Sequence, residues 1–103
     1  MKKRFYYYRD ENRHPRVTVC LGEDEEGNIA RGISICSLRD NPCKATGRAL
    51  AIRQMLRAFK KKESSNEIQS NNAFEVLIKT NAVFCFKSAY NPGLMEYEQK
   101  IIG

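Results

Sequence analysis

The residues of this sequence best suited to chemistry lie between positions 37 and 48. Asn41 and Pro42 are typical of a helix start, and Lys44, Thr46 and Arg48 follow them directly. The free amides and positive dipole end of a helix attract phosphate, and a guanidinium can hold two phosphate oxygens at once. The pattern therefore predicts an anion site at the start of a helix.

Lys44 and Arg48 are one helical turn apart, on the stripe that continues as Ile52, Met55 and Phe59. Cations on a core-facing stripe need an explanation, and the sequence allows two explanations. Either they point into a pocket at the N-terminal end of the helix, or they form partly buried ion pairs with Asp40 or a hairpin carboxylate, or extend their heads to water.

Two aromatic clusters lie beside basic residues and could stack on bases. One is the run 5–8 between Arg4 and Arg9, and the other comprises Phe84, Phe86 and Tyr90 beside Lys87 and Asn91. Because successive strand residues face opposite ways, about half of each cluster should be core. The predicted ligand-binding residues are Lys44, Thr46, Arg48, Phe86, Tyr90 and Asn91.

Catalytic and metal-binding motifs are missing from the sequence. His14 is the single histidine, and there is no phosphate-binding loop, dinucleotide fingerprint, metalloprotease motif or RNA-recognition consensus. The four cysteines, spaced 16, 7 and 42 residues apart, match no zinc site, and the acidic run 23–26 lacks calcium-loop spacing. We therefore expect a protein that is not an enzyme and that holds no metal and no cofactor. If the chain is an enzyme, its acid–base candidates are His14, Glu96 and Glu98, which are scattered along the sequence.

Composition indicates one folded domain over residues 1–103, with 42% hydrophobic and 29% charged residues. The net charge of +6 favours anionic partners, nucleic acid among them. No apolar run approaches the roughly 18 residues of a membrane span. The basic Met1–Arg4 is followed by aromatic and then charged residues, unlike a secretory leader, so we expect a cytoplasmic protein with free thiols and no membrane contact.

The sequence predicts an α+β domain with a small antiparallel sheet, one long helix and a short C-terminal helix, in the order β-β-β-α-β-β-α. Strand 16–22 alternates as a half-buried strand does, and the acidic stretch 23–28 reads as a hairpin tip. Gly47 within the helix indicates close helix-to-sheet packing. The predicted strands are 4–9, 16–22, 29–38, 74–79 and 82–88, the helices are 42–62 and 94–102, and 63–72 is a loop.

Residues 16–58 contain several short motifs that together resemble those of a known group of proteins. They contain a V-T-V strand, the strand end G-I-S-I-C-S-L-R-D at 32–40, Lys44, the G-R-A triplet at 47–49 and Arg53. In these motifs the chain resembles small phage-encoded proteins, and among them the Thoeris anti-defence sponges, which sequester signals of the cyclic ADP-ribose type. The resemblance implies a homo-oligomer that binds nucleotides between subunits, with arginines on phosphates and an aromatic ring on adenine; only Lys44 and Arg48 fall in the matched stretch.

The leading functional hypothesis is a phage anti-defence protein of the host cytoplasm that sequesters a nucleotide-derived immune signal without cleaving it. The first alternative is a basic nucleic-acid-binding or anti-CRISPR-type inhibitor of a host nuclease, which would use Arg53, Arg57, Lys60 and Lys61 on phosphates or the acidic hairpin on a nuclease groove. The second is an enzyme that degrades the same signals.

Overall fold

The computed structural model describes residues 1–66, 71–82 and 87–103. The predicted α+β class is confirmed: within these residues an antiparallel sheet has the strand order β1-β2-β3-β5-β4 and is accompanied by one long and two short helices. The elements are β1 Lys2–Arg9, β2 Pro15–Glu23, β3 Ile29–Ile35, α1 Lys44–Lys61, β4 Ser65–Asn66, α2 Asn71–Lys79, β5 Lys87–Tyr90 and α3 Glu96–Ile102.

The first three strands form a meander through two turns, each organised by one aspartate. Asp24 Oδ1 accepts hydrogen bonds from the amides of Glu26 and Asn28, at 3.0 and 2.8 Å. Gly27 takes a φ of 84°, a left-handed conformation that glycine adopts without strain. The predicted hairpin tip at 23–28 is therefore confirmed, and the Asp24 carboxylate is part of the turn.

Both faces of strand β2 are buried, which corrects the half-buried strand expected from its alternation. Val17, Val19 and Leu21 pack with α2 and α3 residues on one face, while Thr18 and Cys20 lie beneath α1 on the other. The sheet is thus the middle layer of three. Alternation failed as a guide because Thr and Cys are small enough to be covered by a helix.

Helix α1 packs unusually close to the sheet because glycines line the contact. A Cβ at Gly32 would lie 2.1 Å from the Ala51 carbonyl oxygen, and one at Gly47 would lie 2.6 Å from Thr18 Oγ1. The expectation that Gly47 marks close helix-to-sheet packing is confirmed. The buried side chains of α1 are correspondingly short or flexible: Ala51, Met55 and Ala58.

The strand predicted at 74–79 was wrong, since these residues lie in helix α2. Val76, Leu77 and Thr80 are buried at three- and four-residue spacing, whereas Phe74 and Ile78 are exposed. The turn expected at 80–81 is the end of this helix, where Asn81 has a φ of 59° and its amide donates to the Ile78 carbonyl. An α-helix therefore precedes the last strand.

Several predicted boundaries also shift. The long helix begins at Lys44 with Cys43 as N-cap, rather than at Pro42, because Arg16 Nη1 binds the carbonyls of Ser37 and Asp40 at 2.8 Å and holds that segment as a turn. Strand β3 ends at Ile35 rather than 38, and the C-terminal helix begins at Glu96 rather than 94.

The predicted loop 63–72 contains a two-residue strand, in which Ser65 pairs with Ser88 and Asn66 with Lys87, and the first residues of α2. The predicted strand 82–88 agrees with β5 at Lys87 and Ser88, and residues 83–86 lie outside the described residues. In the described parts of the chain, no helix has the length and apolar character needed to cross a membrane.

Candidate ligand-binding surface

A cluster of rings and cations lies where the N-terminal half of α1 crosses strand β1. Alternation along β1 directs Tyr6 and Tyr8 into the core on the side of α2 and α3, and Phe5 toward α1. Arg48 and Lys44 reach down from α1 onto the rings of this second face. We define the basic-aromatic surface as the side chains of Phe5, Tyr7, Arg9, Lys44 and Arg48.

The Tyr7 ring is the centre of this surface. Lys44 Nζ lies 5.1 Å from its centroid, and the guanidinium carbons of Arg9 and Arg48 lie 5.4 and 5.9 Å away. Arg48 Nε also donates a hydrogen bond to the Tyr7 hydroxyl at 2.5 Å. Three cations within about 6 Å of one ring are within the range of cation–π attraction.

Phe5 extends the surface by one more contact. The guanidinium carbon of Arg48 lies 4.7 Å from the Phe5 centroid, closer than any cation lies to Tyr7. Arg48 therefore bridges two rings on adjacent same-face positions of β1, and its orientation is fixed by both. Because a guanidinium is planar and donates in a fixed fork, a positioned arginine suits bidentate phosphate binding.

The charges of this surface have no carboxylate counterpart in the described chain. Arg9, Lys44 and Arg48 are exposed, and none of the ion pairs formed among described residues includes them. Cations gathered around one ring repel one another, and the repulsion is only partly screened at physiological ionic strength. An anion placed among them relieves that repulsion.

Lys44 and Arg48 continue the sheet-facing stripe of α1 toward its N-terminal end, where they are exposed and contact the rings of Phe5 and Tyr7. The helix face that packs on the sheet is lined by Ala51, Met55 and Ala58, whereas Leu56 is 47% exposed. Where α1 lies over the sheet, its close approach leaves room for short or flexible side chains, and the long cations lie beyond that contact, over strand β1. Neither cation forms an ion pair with Asp40 or with a hairpin carboxylate.

The six predicted site residues do not form one site in the structure. Thr46 lies on the opposite flank of α1 from Lys44 and Arg48, in the wall of a cavity described below. Tyr90 packs edge-on against Phe59 with ring centroids 6.1 Å apart, and Phe59 is fifteen residues after Lys44, or about 22 Å along the helix.

Asn91 ties strand β5 to strand β3. Its amide donates to the Ile29 carbonyl at 2.6 Å, and its side-chain oxygen accepts from the Ile29 amide at 2.9 Å. Its side-chain oxygen is thus used within the fold. Phe86 lies outside the described residues. Of the predicted set, the structure therefore brings only Lys44 and Arg48 together.

A second feature is the cavity of about 260 Å³ at the N-terminal end of α1, which we call the α1 cavity. Thr46, Thr18 and Ser37 line it with hydroxyl groups, and Cys36, Cys43, Arg16 and Asp40 complete its polar wall. Hydrogen bonds from the Thr46 hydroxyl and from the Thr46 and Ala45 amides lower the pKa of the exposed Cys43 thiol below its usual value, although some loss of hydration opposes this.

The acid–base candidates have separate environments. Glu98 is fully buried and pairs with Arg31, and it accepts hydrogen bonds from the Tyr6 hydroxyl at 2.8 Å and from the Met95 amide at 3.2 Å. His14 lies 3.8 Å from Asp10 at the turn between β1 and β2, and Glu96 pairs with Lys100 on the surface at 3.7 Å. The three acid–base candidates therefore interact with different partners, at different places in the fold.

The cysteines within the described chain, Cys20, Cys36 and Cys43, are free thiols. Burial raises the pKa of the Cys20 thiol to about 11. The free-thiol expectation is confirmed for these three, and Cys85 lies outside the described residues.

Sequence reasoning placed no β1 residue among the predicted site residues, although the signal was available. In a strand that reads K-R-F-Y-Y-Y-R, residues 5, 7 and 9 must share a face. The sequence could not show that this face lies beneath the first turns of the long helix, because that depends on the register of a long-range contact.

Comparisons of the chain with protein-family models, with curated proteins and with solved structures found no match.

Proposed function

We propose that this protein binds and sequesters, without cleaving it, a nucleotide-derived immune signalling molecule of the cyclic ADP-ribose or cyclic oligonucleotide type. The observation that supports this is the Tyr7 ring surrounded by Lys44, Arg9 and Arg48. A flat ring flanked by cations matches a ligand with a flat base joined to phosphates.

The chemistry of the surface suits both parts of such a ligand. A base stacks on an aromatic face with a contribution of about 1–3 kcal/mol, whatever its identity. Phosphate oxygens accept charge-assisted hydrogen bonds from Arg48 and Lys44, which are exposed and lie beside the same Tyr7 ring. Selectivity for a particular nucleotide would come from the rest of the binding surface, including a second subunit if the protein assembles as the resemblance implies.

Retention without cleavage is supported by what the surface offers. Its five side chains include no carboxylate, imidazole or thiol, the groups that most often act as bases or nucleophiles near neutral pH. A sponge needs tight binding and a copy number that matches its ligand, and it needs no turnover. The anti-defence role in a host cytoplasm follows from the resemblance and is part of the proposal.

The test is depletion and recovery. Purified protein is incubated with cyclic ADP-ribose isomers and with cyclic oligonucleotides, free ligand is measured after ultrafiltration, and the protein is then denatured by heat and the ligand measured again. We expect depletion followed by full recovery of unaltered ligand. Recovery of an altered product would establish an enzyme, and absence of depletion for every ligand would refute the proposal.

Variants locate the binding surface. Tyr7→Leu and Arg48→Gln should each weaken binding about tenfold or more, because each removes a ring or a charge that contacts the ligand. Arg57→Gln is the matched control, since Arg57 is an exposed cation on the outer face of the same helix. Equal loss in Arg48→Gln and Arg57→Gln, with no loss in Tyr7→Leu, would point to general charge rather than to this surface.

The second candidate function is binding of nucleic acid, or of a nuclease in the manner of an anti-CRISPR inhibitor. The observation that favours it is a second row of exposed cations on α1, formed by Arg53, Arg57, Lys60 and Lys61. Such a row would track phosphates with a steep dependence on salt. Strong, salt-dependent binding of oligonucleotides that Arg57→Gln weakens, without depletion of cyclic nucleotides, would favour this function.

A further inference from the structure

Strand β1 lies at one end of the sheet, with β2 on one side and no described strand on the other. Its eight residues include neither proline nor glycine, and its register with β2 is continuous from Lys2 to Tyr8. An edge strand of this kind presents a row of amides and carbonyls on which a further strand can pair. The outer edge of β1 is therefore a candidate interaction surface made of backbone groups.

The hydrogen bonds of the sheet show which β1 residues turn their backbone outward. Ile29 of β3 exchanges hydrogen bonds with Asn91 at the end of β5, so odd-numbered residues of β3 face β5 and even-numbered ones face β2. The register pairs residues of like parity in β2 and β3, and of opposite parity in β1 and β2. Even-numbered residues of β1 therefore bond to β2, and the amides and carbonyls of residues 3, 5 and 7 point away from the sheet. The exposed Arg4 side chain agrees with this, since it reaches the Lys3 carbonyl at 3.0 Å.

An apolar groove follows this edge on the side of α3. It has a volume of about 300 Å³ and is lined by Tyr6, Tyr7, Tyr8, Met95 and Tyr97. Because successive strand side chains alternate between faces, a groove lined by three successive residues reaches the outer edge of the strand. Tyr97 is 55% exposed, and its ring meets the Tyr6 ring edge-on with centroids 5.2 Å apart. The groove therefore suits apolar side chains of a strand added to β1.

The opposite face of the same edge is basic. Lys3 and Arg9 are exposed on β1, and Lys44 and Arg48 extend from α1 to the Tyr7 ring. Half of the β1 residues are basic and none is acidic. A second copy of the chain paired through this edge would bring two such strands together, and like charges on paired strands are destabilising. Charge complementarity instead favours a strand that carries carboxylates on this face.

We propose that the outer edge of β1 binds an extended segment of a partner protein, as an added strand in which acidic and apolar residues alternate. The added strand is antiparallel, like every described pairing of this sheet. Its acidic residues lie opposite residues 3, 5 and 7, beside the cations, and its apolar residues enter the groove at Tyr97. In binding of this kind the main-chain hydrogen bonds provide affinity, and the alternate side chains provide specificity.

The test uses a fluorescein-labelled peptide of about ten residues with blocked ends, in which glutamate and valine alternate. Fluorescence anisotropy with the full chain should show saturable binding, and a peptide of the same composition in blocks should bind at least about tenfold more weakly, because it cannot place carboxylates on one face. In an antiparallel pair, the residues opposite 3, 5 and 7 donate their own amides to β1. Methylation of the glutamate amides should therefore abolish binding, whereas methylation of the valine amides should leave it unchanged.

Two pairs of variants locate the interaction. Lys3→Pro and Lys3→Gln both remove the charge, but only proline removes an outward amide, and it leaves the bonds to β2 intact. Lys3→Pro should bind the peptide about tenfold more weakly than Lys3→Gln. Tyr97→Ala should weaken binding severalfold, and Phe74→Ala is its control, because Phe74 is an exposed ring of α2 that does not line the groove. A thermal melt checks that each variant folds.

The proposal is overturned if the alternating peptide does not bind saturably, if the two methylated peptides bind alike, or if Lys3→Pro and Lys3→Gln do. It is also overturned if the chain forms a dimer that Lys3→Pro dissociates, since a second copy would then occupy the edge. All four variants lie outside the basic-aromatic surface and should deplete cyclic nucleotides like the native chain. Failure of peptide binding is therefore distinguishable from failure of the proposed function.

Discussion

The buried carboxylate of Glu98 offers the sharpest prediction about stability. It is fully buried, its salt bridge with Arg31 joins α3 to strand β3, and the Tyr6 hydroxyl donates to it from β1. The change Glu98→Gln keeps the shape and removes the charge that faces the Arg31 guanidinium. Breaking a buried pair from one side costs about 3–5 kcal/mol.

That cost is large for a domain of this size. Small domains unfold with about 5–15 kcal/mol, so the variant should lose a substantial part of its stability. One kcal/mol corresponds to roughly 4–8 °C in a chain of about 100 residues, so we expect Tm to fall by at least about 12 °C. The assay is urea unfolding and a thermal melt followed by circular dichroism. Glu96→Gln is the control, because the Glu96 carboxylate is 87% exposed and its pair with Lys100 contributes little.

The effect should depend on pH with a defined sign. Burial alone would raise the pKa of Glu98, but the Arg31 guanidinium, the Tyr6 hydroxyl and the Met95 amide together hold it below its ordinary value of 4.5. A carboxyl whose pKa is lower in the folded state stabilises the fold above its unfolded pKa, and this stabilisation is lost as pH falls through the folded pKa. The difference between the native chain and Glu98→Gln should therefore be fully present at pH 7 and shrink below about pH 4.5. A difference under 1 kcal/mol at pH 7, or one that grows in acid, would refute the reasoning.

Two further predictions follow from packing. Gly32→Ala should destabilise the fold by at least about 3 kcal/mol in urea unfolding, because its Cβ would lie 2.1 Å from the Ala51 carbonyl oxygen, whereas Gly93→Ala, with no neighbour within 4 Å, should change stability by less than about 0.5 kcal/mol; similar values for both would contradict the close approach of α1. At pH 8, Cys43 should react with a thiol reagent much faster than Cys20, whose thiol pKa is raised to about 11 by burial, and peptide mapping that finds Cys20 modified first would contradict the assigned burial.

The fold could be predicted where local signals agree with the tertiary arrangement. The β1, β2 and β3 segments are rich in strand-forming residues and are separated by clear turn residues, and the structure has strands close to the predicted positions. The segment 74–79 failed because its short apolar run, 76–78, fits a strand or a helix equally well on local grounds. Only the burial of Val76, Leu77 and Thr80 against the sheet makes the helical period visible.

The sequence allowed the chemical character of the candidate site to be predicted, but only part of its location. Lys44 and Arg48 were identified because helix-start signals and cations are local. Tyr7, their aromatic partner, lies 37 and 41 positions earlier in the chain. Tyr90 and Asn91 were grouped with Lys44 and Arg48 on chemical grounds, but they lie near the opposite end of α1 from these two cations.

The same close packing that buries α1 also makes the basic-aromatic surface possible. Glycine at position 32 of β3 lets the helix axis approach the sheet, and Arg48 then lies 4.7 Å from Phe5 on strand β1, beyond β2. A side chain at this position would push α1 outward by an ångström or more, enough to weaken the contacts of Lys44 and Arg48 with the Tyr7 ring, since cation–π attraction fades beyond about 6 Å. Stability and ligand binding therefore depend on one structural feature. Gly32→Ala should weaken nucleotide binding even at temperatures where it remains folded, while Glu98→Gln, which acts on the other face of the sheet, should leave the affinity of its folded fraction unchanged.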